Sequence, residues 1–339
     1  MKQHFIHVVT FSVAGKKRIK AKLMLTAAVA IPFIILALFP CIPDNLRGVK
    51  TRLTPLKTSA GEKFYICPIL TGGIGNQMFL YASTYGIARS TNRIMLIESS
   101  ALNNVFHLDH VQSSPTLCHC IPKKVSIYDC AYDEDMLNIP ADINYQIGEY
   151  LQSYKYFYKY EQDIKRMFRF RQSLKDSANQ FLTDVAIHYT AKLTATNTSA
   201  ITFIGVHVRR GDMLDGHYKK YGYVLPGQDY VHKAMDFMRR KFQQTVFILA
   251  SNDMPWSQSN FHGNDIFYSS NTDPKLDLVL LASCNHSITT VGTYGWWTAF
   301  LAGGTTLYYK YPAREGSPLR KQFSSDYSDF FYPGWIGMD

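Results

Sequence analysis

The 339-residue chain has no G-x-x-x-x-G-K-[ST] phosphate loop, which removes the P-loop nucleotide hydrolases. It has no internal repeat and no low-complexity tract, so neither a solenoid nor a disordered polar chain is indicated. A zinc-finger pattern is also missing, because Cys118-His119-Cys120 has no second Cys/His pair at ligand spacing. Charge is scarce where a nucleic-acid binder would need it. Residues 1–60 hold ten Lys and Arg against one acid, Asp44, and so supply almost all of the net +10. The other 279 residues carry 26 basic and 25 acidic side chains, so no nucleic-acid partner is expected of the body. Apolar side chains, at 46%, are plentiful enough for a real core.

The basic excess has a location and a reading. Lys16, Lys17, Arg18, Lys20 and Lys22 precede Leu23–Pro43, 21 residues without a charge. That length spans about 30 Å of bilayer. Pro32 is tolerable in lipid, and Pro40 and Pro43 fall near the exit. The basic flank should stay cytosolic and leave the C-terminal body on the far side. A cleaved signal peptide is the rival, with an oddly long charged region. The expected plan is a cytoplasmic tail at 1–22, a membrane-embedded signal anchor at 23–43 and a Pro/Thr/Ser/Lys-containing stem at 44–62. An N-terminal domain at 63–196 and a C-terminal domain at 197–339 follow. A lumenal body suits the glycosylation acceptor patterns at Asn197 and Asn285. It also suits six cysteines, whose pairing sequence alone does not give.

The body alternates strands and helices. Phe64–Leu70 is an apolar run, Thr71–Gly75 a turn cluster, Asn76–Ala88 helically spaced, and Ile94–Ile97 a strand. Tyr160–Lys192 has the spacing of one helix, and Thr194–Ala200 is small and polar enough for a domain joint. Strands are then expected at Ile201–Val208, Thr245–Ala250, Ser287–Val291 and Thr306–Tyr309. Helices are expected between them at Gln228–Phe242, Pro274–Ala282 and Tyr294–Leu301. The economical architecture is α/β, two doubly wound domains facing a cleft.

Four strand ends carry chemistry. In "ITFIGVHVRRGDM" (201–213), alternation turns His207 and Arg209 one way and Arg210 the other. Guanidinium groups at the carboxyl end of a parallel strand suit phosphate oxygens, which they bind bidentately. A surface Arg pair balanced by Asp212 is the plain alternative. In Thr71–Gln77, Gly73 and Gly75 let a ligand approach a helix N-terminus, while Asn76 and Gln77 either contact it or cap the helix. Ser251-Asn252-Asp253 and Gly292-Thr293-Tyr294 end two further strands, with Trp296, Trp297 and Phe300 read as core. Asp133-Glu134-Asp135 matches an acid-x-acid metal pattern but lacks a leading strand; its acids read better as a helix start. Together the strand ends describe a cleft for a nucleotide diphosphate.

Gly73-Ile74-Gly75-Asn76-Gln77-Met78, His207-Val208-Arg209-Arg210-Gly211-Asp212, Ser251-Asn252-Asp253 and Cys284 through Gly295 resemble the α-1,2-fucosyltransferases. "GEYLQSYKYF" (148–157) and the final "FFYPGWIGMD" also look like that family. The resemblance runs from about residue 64 to the end, and the tail, span and stem are similar to animal Golgi members. It implies a GT-B-like fold and transfer of L-fucose from GDP-β-L-fucose to a glycan galactose, with inversion. It implies no metal or other cofactor, Golgi-membrane residence, and leaves a homo-oligomer open. By carry-over Arg209 and Arg210 hold the diphosphate with His207 beside them. Asn252 and Asp253 lie near the nucleoside, Thr293 and Tyr294 near the diphosphate or base, and Asn76 and Gln77 near the fucose across the cleft, with Gly73 and Gly75 also counted as donor-binding. Inversion calls for a base; Asp212 and Asp215 are the nearest carboxylates, and proton loss through water stays open beside them. Gly73, where many animal members have a basic residue, and Trp296-Trp297, as in bacterial relatives, bear on the acceptor more than on the donor.

Overall fold

The computed structural model describes residues 54–58, 61–97, 100–108, 112–113, 117–119, 121–191 and 200–339. The expected tail, the span at 23–43, most of the stem, the joint at 194–199 and Asn197 lie outside these residues. Among the described residues, no helix is long and apolar enough to cross a membrane.

Residues from Thr51 onward form one compact unit built on two parallel sheets. A small antiparallel pair, β1 (Leu56–Thr58) and β2 (Gly61–Lys63), leads in. The first sheet comprises β3 (Tyr65–Pro68), β4 (Ile94–Ile97), β5 (Gln112–Ser113), β6 (Lys123–Val125) and β7 (Tyr145–Gly148), in the order β5-β4-β3-β7-β6. Helix α1 (Ile74–Ser90) connects β3 to β4. Two helices follow, α2 (Glu161–Met167) and α3 (Gln172–Thr190).

The single helix expected at 160–192 is thus broken. Phe168 and Phe170 turn inward onto Phe106, with ring centroids 4.8 and 5.3 Å apart. The Arg171 amide donates to the Val105 carbonyl and the His107 amide to that of Arg169. Those cross-chain bonds replace the helical ones at the break.

The second sheet comprises β8 (Thr202–Val208), β9 (Thr245–Ser251), β10 (Ile266–Tyr268), β11 (His286–Thr289), β12 (Thr306–Tyr309) and β13 (Ile336–Met338). Its order, β10-β9-β8-β11-β12-β13, is the doubly wound one, with the topological switch between β8 and β11. Helices α4 (Gly216–Tyr221), α5 (Gln228–Lys241), α6 (Met254–Asn260), α7 (Pro274–Ala282) and α8 (Thr293–Ala302) lie in the connections. Strand alternation feeds both faces. Phe247 and Leu249 of β9 join Tyr230, Ala234 and Met238 of α5, whereas Val246, Ile248 and Ala250 join the α7–α8 side. Neither β10 nor β13 is legible in the sequence pattern; β13 lies within the final "FFYPGWIGMD".

One aromatic core ties the two sheets together. Phe79 of α1 lies 4.6 Å from Trp296 and 5.0 Å from Trp297 of α8 by ring centroid, and Phe157 stacks on Trp297. Trp296, Trp297 and Phe300 are buried, and both indoles donate, to the carbonyls of Phe330 and Gly75. Each such aromatic pair adds about 0.5–1.5 kcal/mol beyond area burial. Tyr154, Tyr156 and Phe157 are core as well, whereas Tyr158 is exposed. Cys67 on β3 is disulfide-bonded to Cys118, which removes that thiolate from any metal reading of Cys118-His119-Cys120.

Candidate active site

The site forms at the switch point, because the connections after the paired strands β8 and β11 lead off to opposite sides and leave a crevice at their carboxyl ends. A cavity of about 330 Å³ opens at this edge. His207, Arg209, Asp212, Asn252, Asp277 and Tyr294 line it.

Arg209 is held rigidly. Its backbone amide donates to Thr290 Oγ1 at 3.0 Å, while Nε and Nη2 donate to the two oxygens of Asp212 at 3.3 and 2.7 Å. Asn252 braces the same turn. Its Nδ2 donates to Asp212 Oδ1 at 2.7 Å, and its Oδ1 accepts from the amides of Arg210 and Gly211. Burial would raise the Asp212 pKa, but hydrogen bonds from Arg209 and Asn252 and the guanidinium charge hold it below the usual carboxylate value. Gly292, at φ +89°, makes room for the guanidinium: an added Cβ would sit 2.9 Å from Arg209 Nη1.

The adjacent arginine goes elsewhere. Arg210 lays its guanidinium 4.3 Å above the Trp256 ring, and its Nε is 3.3 Å from Asp253 Oδ2 without hydrogen-bond geometry. Asp253 also caps α6 by accepting from the Trp256 amide. Strand alternation therefore separates the two arginines, and only Arg209 lines the cavity with His207. His207 is neutral: burial, reinforced by the charge of Arg209 and opposed by Asp212, pushes its pKa down to about 3. Its ring packs on Tyr294, and an added Cβ at Gly295 would meet Nδ1 at 2.7 Å.

The glycine-rich turn of the other half meets this region through packing. Asn76 Oδ1 accepts from the Thr293 hydroxyl at 2.6 Å, and Gln77 Nε2 donates to its own turn at Gly72. A Cβ on Gly75 would lie 2.7 Å from the Tyr294 amide and 2.8 Å from Thr293, so this glycine is required by contact between two helix N-termini. Gly73 faces open space. Asp215 accepts from the His217 amide as the cap of α4. Asp133 likewise caps a 3-10 turn at Glu134–Leu137, and Asp135 pairs with Lys124. Among the described residues, no cluster of three His, Cys, Asp or Glu could hold a metal ion. Asn285 is exposed, its side-chain oxygen accepting from the Phe203 amide.

Neither Asp277, in the cavity lining, nor Asp129, held between the two halves, has a signal in the sequence. Asp277, on α7, accepts from Asn271 at 3.0 Å and from Ser269, and burial pushes its carboxyl up. Asp129 enters from the loop after β6, with Tyr221 Oη 3.5 Å from its Oδ2. Nothing periodic or motif-like marks either one.

Residues 50–339 match the family model of glycosyl transferase family 11. The chain is 30% identical over 276 residues to galactoside alpha-(1,2)-fucosyltransferase 2 of Rattus norvegicus, covering 79% of this chain and 75% of that one. It is 29% identical over 305 residues to galactoside alpha-(1,2)-fucosyltransferase 1 of Mus musculus, covering 84% and 78%. Among solved structures, NodZ alpha-1,6-fucosyltransferase soaked with GDP-fucose superposes with a TM-score of 0.46 at 15% identity, over 74% of this chain and 97% of that one. By the family match and the identity to its relatives, this chain is a glycosyltransferase and belongs to glycosyl transferase family 11.

Proposed function

We propose that the chain transfers L-fucose from GDP-β-L-fucose to the 2-hydroxyl of a galactose on a glycan, inverting the anomeric carbon. The observation that carries this reading is Arg209, braced by Asp212 and Asn252 at the mouth of the switch-point cavity. A guanidinium fixed beforehand meets the charge that grows on a departing diphosphate, and such preorganised stabilisation usually contributes more to catalysis than any other effect. The amides opening α8, which has no side-chain cap, add positive potential at the same place. The guanidinium supplies the positive charge that a divalent ion supplies in other transferases, and the reading requires neither metal nor cofactor. Asp277 also lines the cavity, and in this reading its carboxylate would face the nucleobase. The relatives named above are galactoside α-1,2 enzymes, which supports galactose as acceptor.

In this reading the two sheets are the halves of a GT-B-like enzyme, and the chain is a single-pass Golgi membrane protein with a lumenal body. The charge-free stretch at 23–43 behind its basic flank supports that placement, as does the Cys67–Cys118 disulfide, a bond of oxidising compartments. Asn197 and Asn285 would then meet the glycosylation machinery.

The test is the full-length chain in detergent, given GDP-fucose and a β-galactoside with and without EDTA. The expected product is the 2-O-fucosylated galactoside of inverted configuration, inhibited by GDP far better than by UDP and unaffected by EDTA. No fucose on any galactoside, or substitution only at other hydroxyls, overturns the reading.

A further inference from the structure

We propose that Asp129 is the general base of the transfer, taking the acceptor hydroxyl proton on the face of the fucose opposite the diphosphate. The inference rests on the fucosyl-transfer reading above.

An inverting displacement needs its base across the cleft from the leaving-group cation. Asp129 meets that condition by topology. It follows the carboxyl end of β6, whose edge carries the β3 and β7 turns as well, and the turn after β3 meets the start of α8 through Gly75 and Asn76. Contacts from both halves fix its position. The Asp129 amide donates to Gln322 Oε1 at 2.9 Å, and its carbonyl accepts from the Gln152 amide at 2.8 Å. The next two amides, of Cys130 and Ala131, donate to the Gln322 carbonyl. The carboxylate meets the Tyr221 hydroxyl, which arrives on the helix just after the Arg209 turn.

Two short routes connect it with the phosphate side. Gln152 Nε2 reaches Asn76 Oδ1 at 3.4 Å, and that oxygen holds Thr293 at the start of α8. Cys130 and Tyr223 line a small cavity together with Gly292, the residue against which Arg209 packs. Asp277 lines the cavity and accepts from Ser269 and Asn271, and the other competing carboxylates are engaged by a cation or a helix cap. Asp212 is bound to Arg209, Asp215 caps α4, Asp253 faces Arg210, Glu149 pairs with Lys123 and Asp329 with Lys155. Asp129 has no cationic partner among the described residues. Burial, followed by the charge of Glu149, raises its pKa, while the Tyr221 hydrogen bond lowers it. The Cys130 thiol also faces it, while Tyr150 and Tyr223 lie against Tyr221 and Cys130 rather than against the carboxylate. A carboxylate shifted toward neutrality is the better proton acceptor.

The step balances without a further reagent. The acceptor oxygen forms its bond to fucose C1 as the C1–O(phosphate) bond breaks, and GDP leaves with the electron pair. The hydroxyl proton passes to the Asp129 carboxylate and then to solvent.

The test uses the full-length chain. Asp129→Asn should lower kcat toward galactoside by about 10²-fold or more, with KM for GDP-fucose and galactoside within about twofold. Azide has no proton to lose, so fucosyl azide formation from GDP-fucose should survive in the variant. A smaller loss of kcat, or equal loss toward galactoside and azide, overturns the assignment. If Asp129→Asn does not fold, Tyr221→Phe decides. Removing a bond that lowers the Asp129 pKa should move the acidic limb of kcat/KM to higher pH, and an unmoved limb overturns the proposal. A wild-type chain that fucosylates no galactoside sinks the function reading; an active wild type with an equally active Asp129→Asn sinks only the base.

Discussion

Helices α1 and α8 begin in the same manner and end up in different circumstances. Each starts without a side-chain cap, after a glycine beyond the carboxyl end of a parallel strand. At the α8 turn, Gly292 adopts a positive φ and yields space to the Arg209 guanidinium beside an open cavity. At the α1 turn, Gly75 yields its space to protein, the Thr293–Tyr294 backbone. The same local signal thus marks a ligand edge in one half and an inter-sheet contact in the other. What separates them is the occupant of the space that a Cβ would fill.

The comparison breaks first at Arg209. If the α8 edge holds a diphosphate, Arg209→Lys keeps a charge but loses the two-pronged grip and the Asp212 brace, and kcat should fall about 10²–10³-fold. Arg210→Lys, removing a guanidinium stacked on Trp256, should cost far less turnover. Steady-state kinetics on both variants ranks them, and the reverse order would assign the cavity to the wrong arginine. At the α1 edge the expected loss is stability. Gly75→Ala must push the Tyr294 amide from 2.7 Å, costing about 1–3 kcal/mol, whereas Gly73→Ala meets nothing within 4 Å and should be near neutral. Denaturant unfolding of the pair distinguishes contact from ligand space.

His207 gives the cavity side a pH signature. Its folded pKa of about 3 lies below the ordinary 6.5, so the unfolded chain takes up the proton first as pH falls. Stability contributed by the neutral ring is complete above 6.5 and declines through the window from 6.5 toward 3. At about 1.4 kcal/mol per pH unit, acidification from pH 7 to 5 should cost about 2 kcal/mol through this residue. Urea titrations should show a shallower acid slope for His207→Gln than for the parent; equal slopes would mean the ring titrates normally.

Much of this was legible in the residues. Period-two alternation in "ITFIGVHVRRGDM" sends His207 and Arg209 to one face and Arg210 to the other, as found. The helix at Pro274–Ala282 and the strands at Ile94–Ile97 and Thr306–Tyr309 have the expected bounds, because proline, apolar runs and turn residues delimit them. The pattern did not show which partner each arginine would find, since Trp256 and Asp253 come from the β9 connection rather than from the motif. It was equally silent on β10 and β13, three residues each, too short to display alternation. Asp129 and Asp277 gain whatever chemistry they have from burial and from neighbours distant in sequence, which no local spacing encodes.

The smallest effect tests the contact between the two turns directly. Thr293 donates across to Asn76 at 2.6 Å, in a place where Thr293 is buried and Asn76 is half-buried. A neutral hydrogen bond of this kind contributes about 1 kcal/mol net, and each single deletion costs somewhat more because it strands a polar partner. Thr293→Val and Asn76→Ala, alone and together, should therefore show a coupling energy of about 1 kcal/mol in denaturant unfolding. The α1 turn, as a packing element, predicts that coupling in the unliganded protein and little change in it when GDP is added. Additive single effects, or a coupling that arises only with GDP, would instead make Asn76 a ligand contact and erase the contrast between the two turns.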